Sequence, residues 1–132
     1  MAYLLDTNVV SDLVRAPRGR AADCVRTVGE SEVCTSIIVA AELRYGAAKK
    51  SSTRLSWQLE MVLRALSVVA LEPPVDATYA RIRAELERRG RPIGGNDLLI
   101  AAHAMTLGHT LVTDNEREFE RVTGLRCVNW LR

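Results

Sequence analysis

The sequence lacks the features of a secreted, disulfide-stabilised or membrane-spanning protein. Its three cysteines, Cys24, Cys34 and Cys127, are widely separated and form no C-x-x-C pair, so we expect reduced, buried thiols. No run of about 18 apolar residues occurs that could cross a membrane. The apolar start of the chain meets Asp6 before a signal-peptide core could form. These absences predict a cytoplasmic protein.

Linkers, internal repeats and low-complexity segments are also absent, and 132 residues is close to the commonest domain size. We therefore expect residues 1–132 to form a single domain. Apolar residues make up 48% of the chain and charged residues 26%, which excludes a disordered or fibrous protein. The chain has only two lysines, Lys49 and Lys50, and the rest of its Lys and Arg residues are arginines. Arginine suits bidentate phosphate contacts, although a GC-rich genome produces the same bias.

Short apolar runs alternate with amphipathic segments along the whole chain. Strands are predicted at 3–5, 33–35, 67–71, 110–113 and 126–128. Helices are predicted from 7 or 8 to 14, then at 21–28, 36–47, 55–66, 77–89, 97–107 and 115–122. This alternation predicts an α/β fold, a three-layer α/β/α sandwich with a mainly parallel five-stranded sheet.

Acidic residues lie at the ends of apolar runs in four places. They are Asp6 after Leu4-Leu5, Glu42 in Ala41-Glu42-Leu43, Asp97 in Asn96-Asp97-Leu98, and Asp114 after Thr113. Ligands of open α/β sheets gather outside the carboxyl ends of the strands. Carboxylates crowded there repel one another unless a cation lies between them, so the pattern predicts a site for Mg²⁺ or Mn²⁺.

Each of these acids also has a purely structural interpretation. An Asp before a helix is commonly an N-cap, which applies most directly to Asp97, and Glu42 suits the dipole of the helix it begins. We interpret His103 as a packed residue rather than a general acid. We interpret Trp57 and Trp130 as packing residues rather than as platforms for RNA bases.

Four motifs, in order and over almost the whole chain, resemble the PIN domain. The motifs are Leu4-Leu5-Asp6-Thr7-Asn8, Ala41-Glu42-Leu43-Arg44-Tyr45-Gly46, the segment 92–102, and Leu111-Val112-Thr113 followed by Phe119. In particular they look like VapC-type toxins of bacterial toxin–antitoxin pairs. The resemblance implies a metal-dependent endoribonuclease that hydrolyses RNA phosphodiesters. It also implies frequent homodimers and inhibition by a cognate antitoxin protein.

Carried over by position, the resemblance makes Asp6, Glu42 and Asp97 catalytic acids. Asp114 is chosen as the fourth acid, with Glu116 and Glu118 as alternatives, and both one-metal and two-metal chemistry remain open. Asp6, Asp97 and Asp114 are then expected to hold Mg²⁺ or Mn²⁺. The expected supporting residues are Asn8, Thr113 and Asn115. Arg44 and Lys49 follow Glu42 on the same helix and are expected to face the RNA.

Two other functions fit parts of the pattern. A PIN-like binding module without catalysis is favoured by the neutral Asn115 and disfavoured by the intact Asp6, Glu42 and Asp97. A phosphoacceptor receiver domain also clusters aspartates at strand ends, but it needs paired acids on the first strand and a late lysine. The sequence has no acid adjacent to Asp6 and no lysine after Lys50.

Overall fold

A computed structural model describes residues 2–132, which contain five strands and seven α-helices. The strands β1 to β5 are Tyr3–Leu5, Val33–Ser36, Ser67–Val69, Thr110–Val112 and Cys127–Val128. The helices α1 to α7 are Thr7–Arg15, Arg20–Val28, Ile37–Lys50, Thr53–Ala65, Val75–Arg88, Gly95–Leu107 and Glu116–Phe119. A short 3-10 turn at Glu30–Glu32 precedes β2.

The five strands form one sheet in the order β3-β2-β1-β4-β5, and every neighbouring pair is parallel. From β1 the chain builds outward through β2 to β3, then places β4 on the other side of β1. The strand order therefore reverses between β1 and β4, which is where open α/β sheets bind ligands. Leu5 is in register with Val112, so Asp6 and Thr113, the next residue of each strand, lie side by side.

The core lies on both faces of the central strands. Leu4 and Leu5 on β1, and Leu111 and Val112 on β4, are fully buried. Because successive side chains of a strand point to opposite faces, helices must cover both sides of the sheet. Among these helices, α1, α3 and α4 pack against one another, and α5 packs along α6. The predicted α/β fold class is confirmed.

Several element boundaries differ from those predicted, and each difference has a local cause. Asp6, rather than Thr7 or Asn8, caps α1. Strand β3 ends at Val69 instead of residue 71, because its partner β2 ends at Ser36, which pairs with Val69. Helix α7 ends at Phe119 instead of Val122, because tight turns follow, in which the Val122 amide donates to the Phe119 carbonyl.

The two tryptophans have different environments. Trp130 is buried and packs against Tyr3, with ring centroids 5.1 Å apart, as predicted. Trp57 is 65% exposed on α4, so its predicted packing role is wrong. Its position on the face of the amphipathic helix turned away from the core explains the exposure. Within residues 2–132, no helix has both the length and the apolar content needed to span a membrane.

Candidate active site

Asp6 follows β1 at the point where the strand order reverses, and it is only 4% exposed. Its Oδ1 accepts a hydrogen bond from the Thr7 amide at 2.8 Å, and its Oδ2 accepts one from the Thr113 hydroxyl at 2.7 Å. Burial raises the pKa of Asp6 above its ordinary value, although these two hydrogen bonds act in the opposite direction. The carboxyl group is thus held in one orientation.

Glu42 approaches Asp6 from the second turn of α3. Its Oε1 accepts a hydrogen bond from the Thr7 hydroxyl at 2.9 Å, so Thr7 contacts both acids. The start of α3 is set by Ser36, whose hydroxyl accepts from the Ile38 amide and lies 2.9 Å from Nδ1 of the buried His103. The predicted packed role of His103 is confirmed, because this contact occupies the ring in the core.

Asp97 lies in the first turn of α6. Gly94 is the N-cap of this helix and no side chain caps it, so the capping alternative for Asp97 is wrong. Its pKa is raised to about 8, first by burial, then by a hydrogen bond with Glu118, and then by the negative charges of Glu118, Asp6 and Glu42. The four carboxyl groups at this end of the sheet are therefore close enough to influence one another's charge.

Glu118 on α7 is the fourth acid that the fold brings to this cluster. It accepts hydrogen bonds from Nδ2 of Asn115 at 2.8 Å and, at the long distance of 3.4 Å, from the Gly94 amide. The hydrogen bond from Asp97 lowers the pKa of Glu118, so Asp97 is the harder of the two carboxyl groups to ionise. Sequence analysis retained Glu118 only as an alternative. The sequence signal available for Glu118 was its spacing from the N-cap of α7, since Asn115-x-x-Glu118 resembles a capping box.

Asp114, the acid chosen from the sequence, is not brought into the cluster. Its exposed carboxylate accepts a hydrogen bond from Nδ2 of Asn129 at 2.9 Å and lies 3.9 Å from the Arg132 guanidinium. Glu116 accepts from the same Asn129 amide group at 3.3 Å. The fold therefore places Glu118, rather than Asp114, beside Asp97. Residue 114 leaves β4 toward the last strand, whereas one turn of α7 brings residue 118 back over the site.

The three predicted supporting residues stabilise the turn between β4 and α7. Thr113 is fully buried, and its oxygen also accepts a hydrogen bond from the Asn115 amide at 3.0 Å. Oδ1 of Asn8 accepts from the Asp114 amide at 3.2 Å. The Asn115 side chain binds Glu118, as described above. All three residues thus hold the acids or their backbone in place.

The predicted RNA-facing residues differ in their availability. Nε and one terminal nitrogen of Arg44 each lie 2.9 Å from the Glu60 carboxylate on α4. This bidentate pair holds the guanidinium against the neighbouring helix, so the geometry does not favour the predicted RNA contact. Lys49 is exposed on α3.

The donor set fits a hard divalent cation. Within residues 2–132 no lysine or arginine forms an ion pair with Asp6, Glu42 or Asp97. In the same range no three His, Cys, Asp or Glu side chains are already arranged around one metal-sized point. Mg²⁺ commonly keeps several waters and uses only one or two carboxylates, so it does not need a complete protein cage. Asp6 and Asp97, whose pKa values are raised by burial and which no described basic side chain neutralises, are suitable oxygen ligands for it.

The chain is similar to known proteins along almost its whole length. The PIN domain family model matches residues 3–125. Ribonuclease VapC2 of Haemophilus influenzae is 40% identical, over 99% of each chain. The tRNA(fMet)-specific endonuclease VapC of Shigella flexneri is 33% identical, over 98% of each chain.

Solved structures show the same relationship. In the crystal structure of VapBC2 from Rickettsia felis bound to a DNA fragment from their promoter, a chain 33% identical to this one superposes with a TM-score of 0.91. The match covers 98% of this chain and 99% of that chain. The two chains thus share one fold over almost their full length. The chain therefore belongs to the PIN-domain family and, within that family, to the VapC group.

Proposed function

We propose that this protein is a metal-dependent endoribonuclease and the toxin of a toxin–antitoxin pair. The observation that carries the proposal is that Asp6 lies where the strand order of the sheet reverses, joined to Glu42 through Thr7 and within electrostatic reach of Asp97 and Glu118. VapC relatives named as ribonucleases, matched over almost their full length, support this assignment.

Asp6, Asp97 and Glu118 would hold Mg²⁺, with Mn²⁺ as the alternative ion. When bound, the ion would neutralise charge on the scissile phosphodiester and lower the pKa of a water molecule. Asp97 would have to be ionised to hold the ion, because a ligating carboxyl group must be deprotonated. Asp6 needs no reorganisation, since Thr7 and Thr113 already fix both of its oxygens.

Glu42 is the candidate general base. The Thr7 hydroxyl binds its Oε1, which leaves Oε2 able to accept a proton from the attacking water. Phosphoryl transfer requires mainly positioning and charge stabilisation, so no Ser or Cys nucleophile is needed. His103 does not take part, because it is buried against Ser36.

Cleavage of RNA by the purified protein tests the proposal. Total cellular RNA and initiator transfer RNA, the substrate class named for the Shigella relative, would be incubated with Mg²⁺ or Mn²⁺. We expect discrete fragments that disappear with EDTA and with Asp6→Asn. Asp12→Asn is the matched control, because Asp12 lies on α1, the helix that Asp6 caps, but pairs with Arg15 at 3.8 Å. No cleavage by folded, antitoxin-free protein would favour a non-catalytic binding module.

The cognate antitoxin is the proposed protein partner. The Rickettsia relative was crystallised as a VapBC2 complex on promoter DNA, which supports a similar heteromeric assembly here. We also propose a homodimer and a cytoplasmic location, where RNA is accessible. Co-expression with the product of an adjacent small reading frame, followed by size-exclusion chromatography with light scattering, measures both assemblies. A monomer with no co-purifying partner would contradict them.

A further inference from the structure

The loop that precedes Asp97 has few contacts of its own. Within the part of the chain that the structure describes, residues 92–96 make only two hydrogen bonds to side chains from elsewhere. The Gly94 amide donates to Glu118, and the Pro92 carbonyl accepts from Arg121 at 3.0 Å. Both partners lie on α7 or just after it. These two hydrogen bonds attach the loop that leads into the first turn of α6, where Asp97 lies, to the segment that carries Glu118.

The opposite side of the loop offers less support. A cavity of about 180 Å³ separates the loop from α5 and is lined by Tyr79, Leu86, Pro92 and Ile93, among others. A loop beside a cavity lacks the close packing that would restrict its backbone. Residues 95 and 96 already belong to α6, and the Gly94 carbonyl accepts from the Leu98 amide. Apart from these helical contacts and the buried side chain of Ile93, the contacts with α7 restrain the loop.

Arg121 is itself held from two directions. Its amide donates to the Glu118 carbonyl at 3.2 Å, and its own carbonyl accepts a hydrogen bond from Arg89 at the end of α5. Its Nε is buried with no hydrogen-bond partner. An unpaired buried donor costs free energy. The Arg121 side chain bears this cost in the conformation in which its terminal nitrogen donates to the Pro92 carbonyl.

We propose that Arg121 is a positioning residue of the acidic site. By binding the Pro92 carbonyl, its guanidinium ties the loop before Asp97 to the turn that carries Glu118, and so sets the separation of these two carboxyl groups. The role in metal binding rests on the proposed function, whereas the attachment of the loop does not. Arg121 acts through Asp97 and Glu118 and does not touch the RNA.

Hydrogen exchange tests the attachment in metal-free protein. In EDTA we expect the amides of residues 93–98 to exchange faster in Arg121→Met than in the wild type, and at an intermediate rate in Arg121→Lys, which keeps a donor. Arg126→Met is the matched control, because the exposed Arg126 also donates to a carbonyl, that of Gly108, at a long 3.5 Å. Unchanged exchange at residues 93–98 in Arg121→Met would overturn the proposal.

Mn²⁺ titration by calorimetry and RNA cleavage kinetics test the consequence. Loss of a group that orients ligands typically weakens metal binding by about 10–100-fold, and we expect that loss in Arg121→Met, with a lower kcat, a similar KM for RNA, and partial recovery in Arg121→Lys. Wild-type Mn²⁺ affinity and kcat in Arg121→Met, or a change confined to KM, would overturn the positioning role. If the wild type neither binds Mn²⁺ nor cleaves RNA, the proposed function fails, and the exchange experiment still decides the loop attachment.

Discussion

The Thr113 hydroxyl donates a 2.7 Å hydrogen bond to Oδ2 of Asp6, although 107 residues separate them in the chain. The contact forms because β1 and β4 are parallel neighbours in register, and the Asp6 amide also donates to the Val112 carbonyl at 2.8 Å. It joins the ends of the two strands between which the strand order reverses. The most buried acid of the site is therefore oriented by the sheet itself.

Replacement of this hydroxyl should affect both stability and metal binding. Thr113→Val leaves Oδ2 of the buried Asp6 without its partner, and we expect a loss of about 1–3 kcal/mol in the free energy of unfolding. Urea denaturation measures the loss, and Mn²⁺ titration measures the accompanying decrease in affinity. Thr113→Ser should restore most of both.

Thr106→Val is a suitable control for the Thr113 experiment. Thr106 also donates a hydroxyl hydrogen bond, to Thr78 at 3.0 Å, but joins α6 to α5 away from the acids. We expect it to leave Mn²⁺ affinity unchanged. Equal Mn²⁺ affinities for Thr113→Val and the wild type would show that this hydroxyl does not orient Asp6 for the metal.

The choice between Glu118 and Asp114 is open to direct measurement. Glu118→Gln removes a charge that lies against Asp97, so we expect Mn²⁺ affinity to fall by about tenfold or more and RNA cleavage to fall with it. Asp114→Asn removes a charge that faces Asn129 and Arg132, and we expect near wild-type binding and cleavage. The opposite ranking of the two variants would restore Asp114 as the fourth acid.

Stability of the metal-free protein should decrease as the pH rises. Folded Asp97 keeps its proton up to about pH 8, whereas the unfolded residue loses it near the ordinary value of 3.8. The folded state thus binds more protons between these values, so the free energy of unfolding falls with pH. Asp97 is partly exposed, and solvent screening should limit the change in Tm to a few degrees.

Thermal unfolding in EDTA between pH 6.5 and 8 measures the effect of Asp97. This pH range lies above the ordinary pKa of histidine, so it separates the effect of Asp97 from that of His103. Asp97→Asn should abolish the decrease in Tm, and saturating Mg²⁺ should reverse it for the wild type at pH 8. A wild-type Tm that rises over this range in EDTA would contradict the raised pKa of Asp97.

His103 should make the stability depend on pH with the opposite sign, and at lower pH. Burial lowers its pKa below the ordinary value of 6.5, so the folded state binds fewer protons than the unfolded state. Stability is therefore complete above pH 6.5 and is lost as the pH falls below that value. His103→Gln should be less sensitive than the wild type to a change from pH 7 to pH 5, as measured by urea denaturation. His109→Gln is the control, and equal sensitivity of all three proteins would contradict this role.

The fold was largely predictable because its signals are local. The strands predicted at 3–5 and 110–113 match β1 and, within one residue, β4. Ser36 and Gly108 marked a helix start and a helix end that the structure confirms. The positions of Asp6, Glu42 and Asp97 could be predicted for the same reason. Trp57 could not be placed, because its exposure depends on which face of α4 meets the rest of the protein.

The sequence by itself determined the order of strands and helices, the family and three of the four acids, because hydrophobic periodicity, helix caps and motif spacing are properties of neighbouring residues. Only the tertiary structure decided that Glu118 rather than Asp114 faces Asp97, that Thr113 orients Asp6, and that Arg44 pairs with Glu60. These contacts join residues far apart in the chain. They depend on strand register and on the direction in which a single turn of α7 points, which neighbouring residues do not specify.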